Sequence, residues 1–428
     1  MDGPALPAGL RIESSAACGR RVVAARPFAA GDVALANAPW ATLLLPRHAA
    51  RRCAACHRDL ESAGDGGTSG AAAKMRCGRC KRAYFCGPAC QKRSWPDHRH
   101  ECGAASAADE SDAVDVLLAR RVARRLLAAE AAGAPPPRAA AAATAADVRA
   151  MVAWDERAHD AQDAAQDGDA LVRSLVAAGR RANFCVADDL LHAVSAACCP
   201  LGALLNHSCD PNTVVAWTVD GGADVQHFIV TRSIAVGEEL THSYVDCGAP
   251  TAQRTAALAR YGFSCVCKRC TAPWRDRDAK LEGSADLSTI ADAEALRRNA
   301  ELRARATAAD GADELRLLDD ALKCLGLVAP THLALLETRE ALLHALLASS
   351  DFSGAADAAH AVAAAREAVY ETRYHPRVAL DWLTLHELAE VAGLEALRKL
   401  ARVNAIDALR HTTPSGSTLL QHLLAKPA

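Results

Sequence analysis

The stretch that decides the fold reads Asn206-His207-Ser208-Cys209-Asp210-Pro211-Asn212, the most specific run of the chain. A second run, Gly237-Glu238-Glu239-Leu240-Thr241-His242-Ser243-Tyr244, follows it. Two strand-like stretches, 213–217 and 226–230, lie between them and are separated by the turn signal Asp220-Gly221-Gly222. Either run alone could be a turn beside a half-buried strand. The chemistry of the chain is therefore expected between residues 181 and 248.

Taken together, the two runs resemble the signature segments of SET-domain lysine methyltransferases. In that family the second run threads against the first in a knot-like crossing, and true knots are rare among folds. The resemblance implies an S-adenosylmethionine-dependent protein lysine N-methyltransferase. Its partner would be a histone or non-histone protein that carries the target lysine.

The same resemblance assigns the lysine channel. It implies that Tyr244 is the catalytic tyrosine, whose hydroxyl orients the amine and the transferring methyl, and that Phe184 and Tyr261 line the channel with it. Methylation requires a neutral amine in line with a sulfonium methyl, so a narrow, water-poor aromatic channel suits the reaction. Each of these rings could instead belong to an ordinary core.

The resemblance also implies the contacts to the cofactor, S-adenosyl-L-methionine. They would come from Gly19, Arg20, Asn206, His207, Tyr244 and Phe263, the last packing against adenine. The N-terminal part, Gly19-Arg20-Arg21, stands where the family commonly has a Gly-x-Gly turn before a strand. Because Arg21 replaces the second glycine, we expect it to tighten the pocket. Cys18 stands where a basic residue is common.

Seventeen cysteines bunch into short-spaced pairs, which are typical of metal sites in a reducing compartment. The first cluster comprises Cys53-x2-Cys56, Cys77-x2-Cys80, Cys86-x3-Cys90 and His98-x3-Cys102. Eight ligands fill two tetrahedral zinc sites, and a site with four protein ligands is structural. His98 is a better ligand than His100, because His100 lies only two residues before Cys102. The alternative is a set of unpaired core cysteines.

The order of these pairs, with Tyr84-Phe85 before Cys86 and Trp95 before His98, resembles the MYND zinc finger. That resemblance implies interleaved ligands: Cys53, Cys56, Cys86 and Cys90 for one zinc, and Cys77, Cys80, His98 and Cys102 for the other. It further implies that Gln91 and Trp95 flank a groove for proline-rich peptides. Trp95 could instead be the small core of the finger.

A third zinc site is expected downstream, where Cys265-x-Cys267-x2-Cys270 offers three thiolates. Cys209 is the natural fourth ligand, and in the SET family the corresponding cysteine joins the post-SET zinc. Three structural zinc ions then use twelve residues. The cysteines left over are expected to be free and mostly buried: Cys18, Cys185, Cys198, Cys199, Cys247 and Cys324.

The nested order of these motifs resembles the SET and MYND domain-containing protein lysine methyltransferase family. It predicts a multidomain α+β fold. The predicted parts are an N-terminal SET part at 1–50, a MYND zinc finger at 51–104, an alanine-rich helical SET insertion at 105–180, the core SET at 181–248, the post-SET at 249–275 and a C-terminal tetratricopeptide-like helical domain at 279–428. We expect nothing catalytic from the insertion. In the C-terminal part, similar phrases around Phe352 and Leu394 suggest stacked helix pairs.

Composition narrows the partners. A formal net charge of -2 gives no field for recruiting nucleic acid, which is not expected as a specific ligand. Neither a secretion signal nor a membrane segment is evident, so we expect a protein of the cytoplasm and/or nucleus. We also expect it to be a monomer. The rival hypothesis is a catalytically weak or inactive adaptor that binds proline-rich partner proteins through its finger and helices.

Overall fold

The computed structural model describes residues 6–15, 19–61, 74–102, 111–132, 143–158, 170–219, 224–271, 290–326 and 332–426. Strands dominate the SET region and helices the insertion and the C-terminal part, so the predicted α+β class is confirmed. Cys18 and the turn signal at 220–222 lie outside the described residues.

Each strand of four or more residues contains Val, Ile or Thr, which suit a pleated and half-buried surface. The strands are β1 (Leu10–Ser15), β2 (Gly19–Ala24), β3 (Val33–Asn37), β4 (Ala41–Leu44), β5 (Met75–Arg76), β6 (Tyr84–Phe85), β7 (Asn183–Ala187), β8 (Ala193–Cys198), β9 (Asn206–His207), β10 (Thr213–Thr218), β11 (Val225–Val230) and β12 (Thr241–His242). Within the described residues they form antiparallel sheets β1-β2, β10-β11-β3, β4-β8-β7 and β5-β6, and one parallel pair, β12-β9.

The parallel pair is the centre of the SET core. Thr241 lies beside Asn206 and His242 beside His207. On its other side the 237–242 segment bonds to β2, because the Leu240 amide donates to the Val22 carbonyl at 2.8 Å. The second signature run therefore lies against the first, as the resemblance predicted, and it bonds to β2 as well.

The helices are α1 (Pro88–Glu101), α2 (Ser111–Ala132), α3 (Ala145–Ala158), α4 (Ala170–Ala182), α5 (Thr251–Leu258), α6 (Ile290–Ala306), α7 (Gly311–Cys324), α8 (Leu333–Ala348), α9 (Phe352–Tyr370), α10 (Pro376–Val391), α11 (Glu395–Thr412) and α12 (Thr418–Ala425). Helices α2 to α4 form the insertion and pack against one another. Helix α2 also packs against β4 and β8, and α4 packs against β7. Helix α4 continues to Ala182, two residues beyond the expected end of the insertion at 180. No helix among the described residues is both long and apolar enough to cross a membrane.

Small side chains let the C-terminal helices approach closely. Helix α9 buries Ala355, Ala356, Ala359 and Ala363 between α8 and α10. The two similar phrases of the sequence both mark helix starts, since α9 begins at Phe352 and α11 directly after Leu394. The predicted helical C-terminal region is confirmed, whereas its tetratricopeptide-like character stays a prediction.

The C-terminal helices are also fastened to the SET core. Helix α11 packs against β10 and β11. At the start of α12, one oxygen of Asp189 accepts hydrogen bonds from the Ser417 hydroxyl, the Thr418 amide and the Thr418 hydroxyl, each at 3.0 Å. Asp189 belongs to the turn between β7 and β8, so a SET loop supplies a cap to a helix of another region.

We predict that Asp189→Ala loosens α12 at a cost of about 1–2 kcal/mol, because it removes a helix-capping carboxylate. Amide hydrogen exchange over residues 417–425 should accelerate. Asp313→Ala is the matched control, since the Asp313 side chain is exposed and pairs with a neighbour on its own helix. Equal exchange of α12 in the two variants would contradict the assignment.

Candidate active site and zinc centres

A cavity of about 1150 Å³ opens beside the β9-β12 crossing. It collects most of the residues predicted for cofactor and channel: Arg20, Asn206, His207, Tyr244, Tyr261 and Phe263. Helices α3 and α4 close one side, and the segment around the downstream cysteines closes another. Residues far apart in sequence therefore line one space.

Asn206 joins three parts of this wall. Its side-chain amide donates to the Arg20 carbonyl and to the Glu239 carboxylate, both at 2.8 Å. These bonds tie β2 and the second signature run to β9. The amide is therefore held in one orientation at the edge of the cavity.

His207 connects a cysteine cluster with the backbone of Tyr244. Its Nδ1 accepts the Tyr244 amide hydrogen at 3.0 Å. A neutral imidazole with an accepting Nδ1 carries its proton on Nε2, which lies 3.2 Å from Cys209 Sγ and donates to it. Burial lowers the pKa of His207 to about 4, so the ring is neutral at physiological pH.

Tyr244 lies at the centre of an aromatic cluster. Its hydroxyl donates to the Leu205 carbonyl at 2.8 Å. Ring centroids of His242 and Tyr261 are each 4.9 Å from that of Tyr244, and that of Phe263 is at 6.3 Å. Burial, with added repulsion from Tyr261 and Glu239, raises the pKa of Tyr244. The hydroxyl therefore stays protonated.

The other two residues predicted to line the lysine channel differ in position. The Tyr261 hydroxyl donates to the Tyr244 carbonyl at 3.5 Å, beside the main chain of the catalytic candidate. Phe184 lies outside the residues that line the cavity, and its ring packs against Phe228 and His242, at 6.2 and 5.6 Å. Its role in the lysine channel stays a prediction.

The backbone at Gly19 and the position of Arg21 show how the chain accommodates an arginine in place of the second glycine. Gly19 has φ of 68°, a conformation that favours glycine. Arg21 lies in the regular strand β2 and pairs with Glu13 across the β1-β2 hairpin at 2.7 Å. The missing second glycine thus causes no left-handed strain, and the Arg21 side chain lines the cavity.

Two groups of site residues escaped the sequence reading. Asn212, which is fully buried, donates to the Glu239 carbonyl at 2.8 Å and accepts from the Thr241 amide at 2.9 Å. Asp147 lines the cavity from the insertion, from which we expected nothing catalytic, and Arg181 lines it from the last turn of α4. The Thr144-x-x-Asp147 capping pattern signalled only the start of α3.

Three ligand clusters stand out among the described residues, each with donor atoms within 4.8 Å of one another. They are Cys53, Cys56, Cys86 and Cys90; Cys77, Cys80, His98 and Cys102; and Cys209, Cys265, Cys267 and Cys270. The interleaved finger pairing and the fourth ligand Cys209 are as the resemblance implied. His100 is exposed and outside the clusters.

The spacing inside the clusters fits zinc. Tetrahedral Zn²⁺ with bonds of about 2.3 Å to sulfur places its ligands about 3.8 Å apart. Cys56 and Cys86 lie 3.7 Å apart, Cys77 and Cys102 3.7 Å, and Cys209 and Cys270 3.6 Å. All ligands come from the protein, so these are closed structural sites that each could hold one zinc ion.

The remaining cysteines were expected to be mostly buried. Cys198, Cys199 and Cys247 are buried, and Cys324 is half-buried. Cys185 is exposed, contrary to that expectation, because it alternates outward on β7 between Phe184 and the buried Val186.

The two residues predicted to flank a peptide groove, Gln91 and Trp95, both lie on α1 of the finger. Trp95 is 45% exposed, and its ring centroid is 6.1 Å from that of His98. Gln91 is half-buried one turn earlier. The fully buried Phe85, and not Trp95, fills the centre of the finger.

Fold and site together define a protein with an inserted finger of zinc-ligand type and a parallel strand pair that borders a cavity lined by the half-buried Tyr244. The model of the SET domain family matches residues 19–245. The chain therefore belongs to the SET-domain family. The finger inserted in that domain places it with the SET and MYND domain-containing members.

Curated relatives agree with this assignment. The chain is 28% identical to "N-lysine methyltransferase SMYD2-A" of Danio rerio over 299 residues, 65% of this chain and 64% of that protein. It is 28% identical to "N-lysine methyltransferase SMYD2" of Homo sapiens over 303 residues and 27% to that of Mus musculus over 308, each match covering 68% of this chain and 66% of the relative. The match thus spans somewhat less than two thirds of each relative.

We predict that the purified chain carries three zinc ions and that Cys270→Ser carries two, because three thiolates hold zinc poorly once the fourth is lost. Elemental analysis by mass spectrometry counts the metal. Cys185→Ser is the matched control, since Cys185 lies outside the clusters, and it should keep three ions. Three ions in Cys270→Ser would contradict the third site.

Proposed function

We propose that the chain is an S-adenosylmethionine-dependent protein lysine N-methyltransferase. The observation that carries the proposal is the protonated Tyr244 hydroxyl, fixed on the Leu205 carbonyl beside a cavity walled by Asn206 and His207. The family and the names of the relatives support it.

The cavity suits the cofactor chemically. Arg20 and Arg21 offer cationic groups for a carboxylate, and the Phe263 ring, 39% exposed, offers a face for a base. Asn206 and His207 supply polar groups in the same cavity wall. When bound, the cofactor would supply an electrophilic methyl on a sulfonium, whose neutral thioether would be the leaving group for transfer to the substrate nitrogen.

The residues of the chain prepare the amine. Only an uncharged amine has a lone pair to attack the methyl, and an aromatic, poorly hydrated channel favours that form. Burial lowers the pKa of His242 to about 3, and His207 is neutral as well. No imidazolium from either ring therefore opposes the incoming lysine, whose proton leaves to water before transfer.

The finer parts of the proposal concern partners and place. We assign histone and/or non-histone proteins as substrates, by analogy with relatives named for lysine methylation. Proline-rich peptides would bind at Gln91 and the exposed Trp95. The chain would act as a monomer in the cytoplasm and/or nucleus, without a specific nucleic-acid ligand.

The first test is transfer of labelled methyl to a broad protein array. Wild type should label lysines, and Tyr244→Phe should lower kcat on the order of 100-fold, because it removes the positioned donor. Binding of S-adenosylhomocysteine should change little. Tyr84→Phe, in the finger, is the matched control. No labelling by wild type, or full activity in Tyr244→Phe, would sink the proposal.

The pH profile gives an independent test. We predict that kcat rises from pH 7 to 9, because the substrate amine is charged below its pKa and reactive above it. No decline should follow below pH 10, because burial raises the pKa of Tyr244 above its ordinary value of about 10. Circular dichroism controls for unfolding. A falling limb centred below pH 10 in the folded protein would contradict this role of Tyr244.

A further inference from the structure

The segment Asp246-Cys247-Gly248, called here the anchor segment, follows Tyr244 after a single residue. Cys247 is 7% exposed and belongs to the hydrophobic core of the C-terminal helices, among side chains that include Leu336 and Tyr370. The main chain that carries the catalytic candidate therefore passes directly from the SET core into another region.

The C-terminal helices also hold the polar part of the anchor segment. The Tyr370 hydroxyl donates to Asp246 Oδ1 at 2.7 Å, and the Gly248 amide donates to the same oxygen at 2.8 Å. Arg377 lies 3.6 Å from the other carboxylate oxygen. Burial alone would raise the pKa of Asp246, but the bond from Tyr370 and these neighbours hold it below its ordinary value. The Asp246 side chain that accepts from Tyr370 is thus an ionised carboxylate.

The Tyr370 ring is itself fixed. It stacks on His375, with centroids 3.8 Å apart and planes at 12°. The ring also contacts the main chain at Gly248, where an added Cβ would lie 3.0 Å from it. A side chain at position 248 would press on the ring, so glycine suits this close approach. Tyr370 is therefore clamped between a helix start and the anchor segment.

On the SET side, hydrogen bonds hold Tyr244 at both of its ends. Its amide is bound by His207 and its hydroxyl by Leu205. One residue further on, the Val245 carbonyl accepts from the Ser243 hydroxyl at 2.6 Å, which braces the turn. A shift of Asp246 consequently reaches Tyr244 through a short, stiff link.

We propose that the C-terminal helices position the Tyr244 hydroxyl through the anchor segment, with Tyr370 as the positioning residue. The inference rests on the proposed methyltransferase function and adds how the site is aligned. Misplacing a catalytic group by about 1 Å can cost on the order of 100-fold in rate. Loss of one hydrogen bond that leaves the ring in place should cost less.

The test compares Tyr370→Phe with Tyr374→Phe on the array protein that wild type labels most strongly. Tyr374 lies near the same turn but stacks on His411, away from the anchor segment. Tyr370→Phe should lower kcat about 10-fold while KM and the Kd of S-adenosylhomocysteine stay within about twofold. Hydrogen exchange over residues 244–248 should accelerate. Tyr374→Phe should match wild type in all of these measurements.

Asp246 variants separate positioning from general stability. Asp246→Asn keeps an oxygen that accepts from Tyr370 and should retain most of kcat, whereas Asp246→Ala should resemble Tyr370→Phe. Equal kcat in Tyr370→Phe and Tyr374→Phe overturns the inference. So does a loss in Tyr370→Phe that affects cofactor binding and Tm together with kcat.

Failure of the proposed function would be visible separately, in the wild-type arm. If wild type labels nothing, methyl transfer is excluded as the purpose of the alignment. Exchange over residues 244–248 then decides whether the mechanical link exists, and unchanged exchange in Tyr370→Phe overturns the link as well.

Discussion

The parallel pairing of β9 with β12 is the constraint on which the rest of the structure depends. Two residues on each strand suffice, because side chains lock the pair from both sides. Asn206 bonds across to β2 and Glu239, and the buried Asn212 holds the backbone of the second run. A buried amide left without these partners would cost about 1–3 kcal/mol, so the crossing is specific as well as stable.

The crossing also connects the third zinc-ligand cluster with Tyr244. Cys209 is a ligand of the third cluster, and His207 beside it donates to its sulfur while accepting the Tyr244 amide. An imidazole that bonds a metal ligand on one side has its orientation and tautomer fixed. The third zinc site is thus structural in its ligands yet contributes to the alignment of Tyr244. In the finger the metal ligands have a different role. They surround Phe85 and, with it, take the place of the larger apolar core that so small a domain lacks.

Sequence reasoning located the residues whose roles follow from short spacing or from family resemblance. The cysteine pairs could be recognised from their short spacing, whereas the interleaved ligand sets of the finger and the distant ligand Cys209 followed only from the family resemblance. The position of Asp147 and Arg181 at the cavity could not be predicted, because a helical sequence pattern indicates only that a helix forms and not which cavity it borders. The Tyr370–Asp246 bond spans 124 residues, and no local pattern encodes such a contact. The exposure of Cys185 likewise depends on which face of β7 is covered.

The central claim is that the β9-β12 crossing builds a cofactor site in this chain despite Arg21. Calorimetric titration of the whole protein with S-adenosylhomocysteine tests it most directly, because binding requires the cavity but no protein substrate. We expect one-to-one binding in the micromolar range, lost in Asn206→Ala, which releases β2 and Glu239 from β9. Absence of binding by the folded, zinc-loaded wild type would contradict the account.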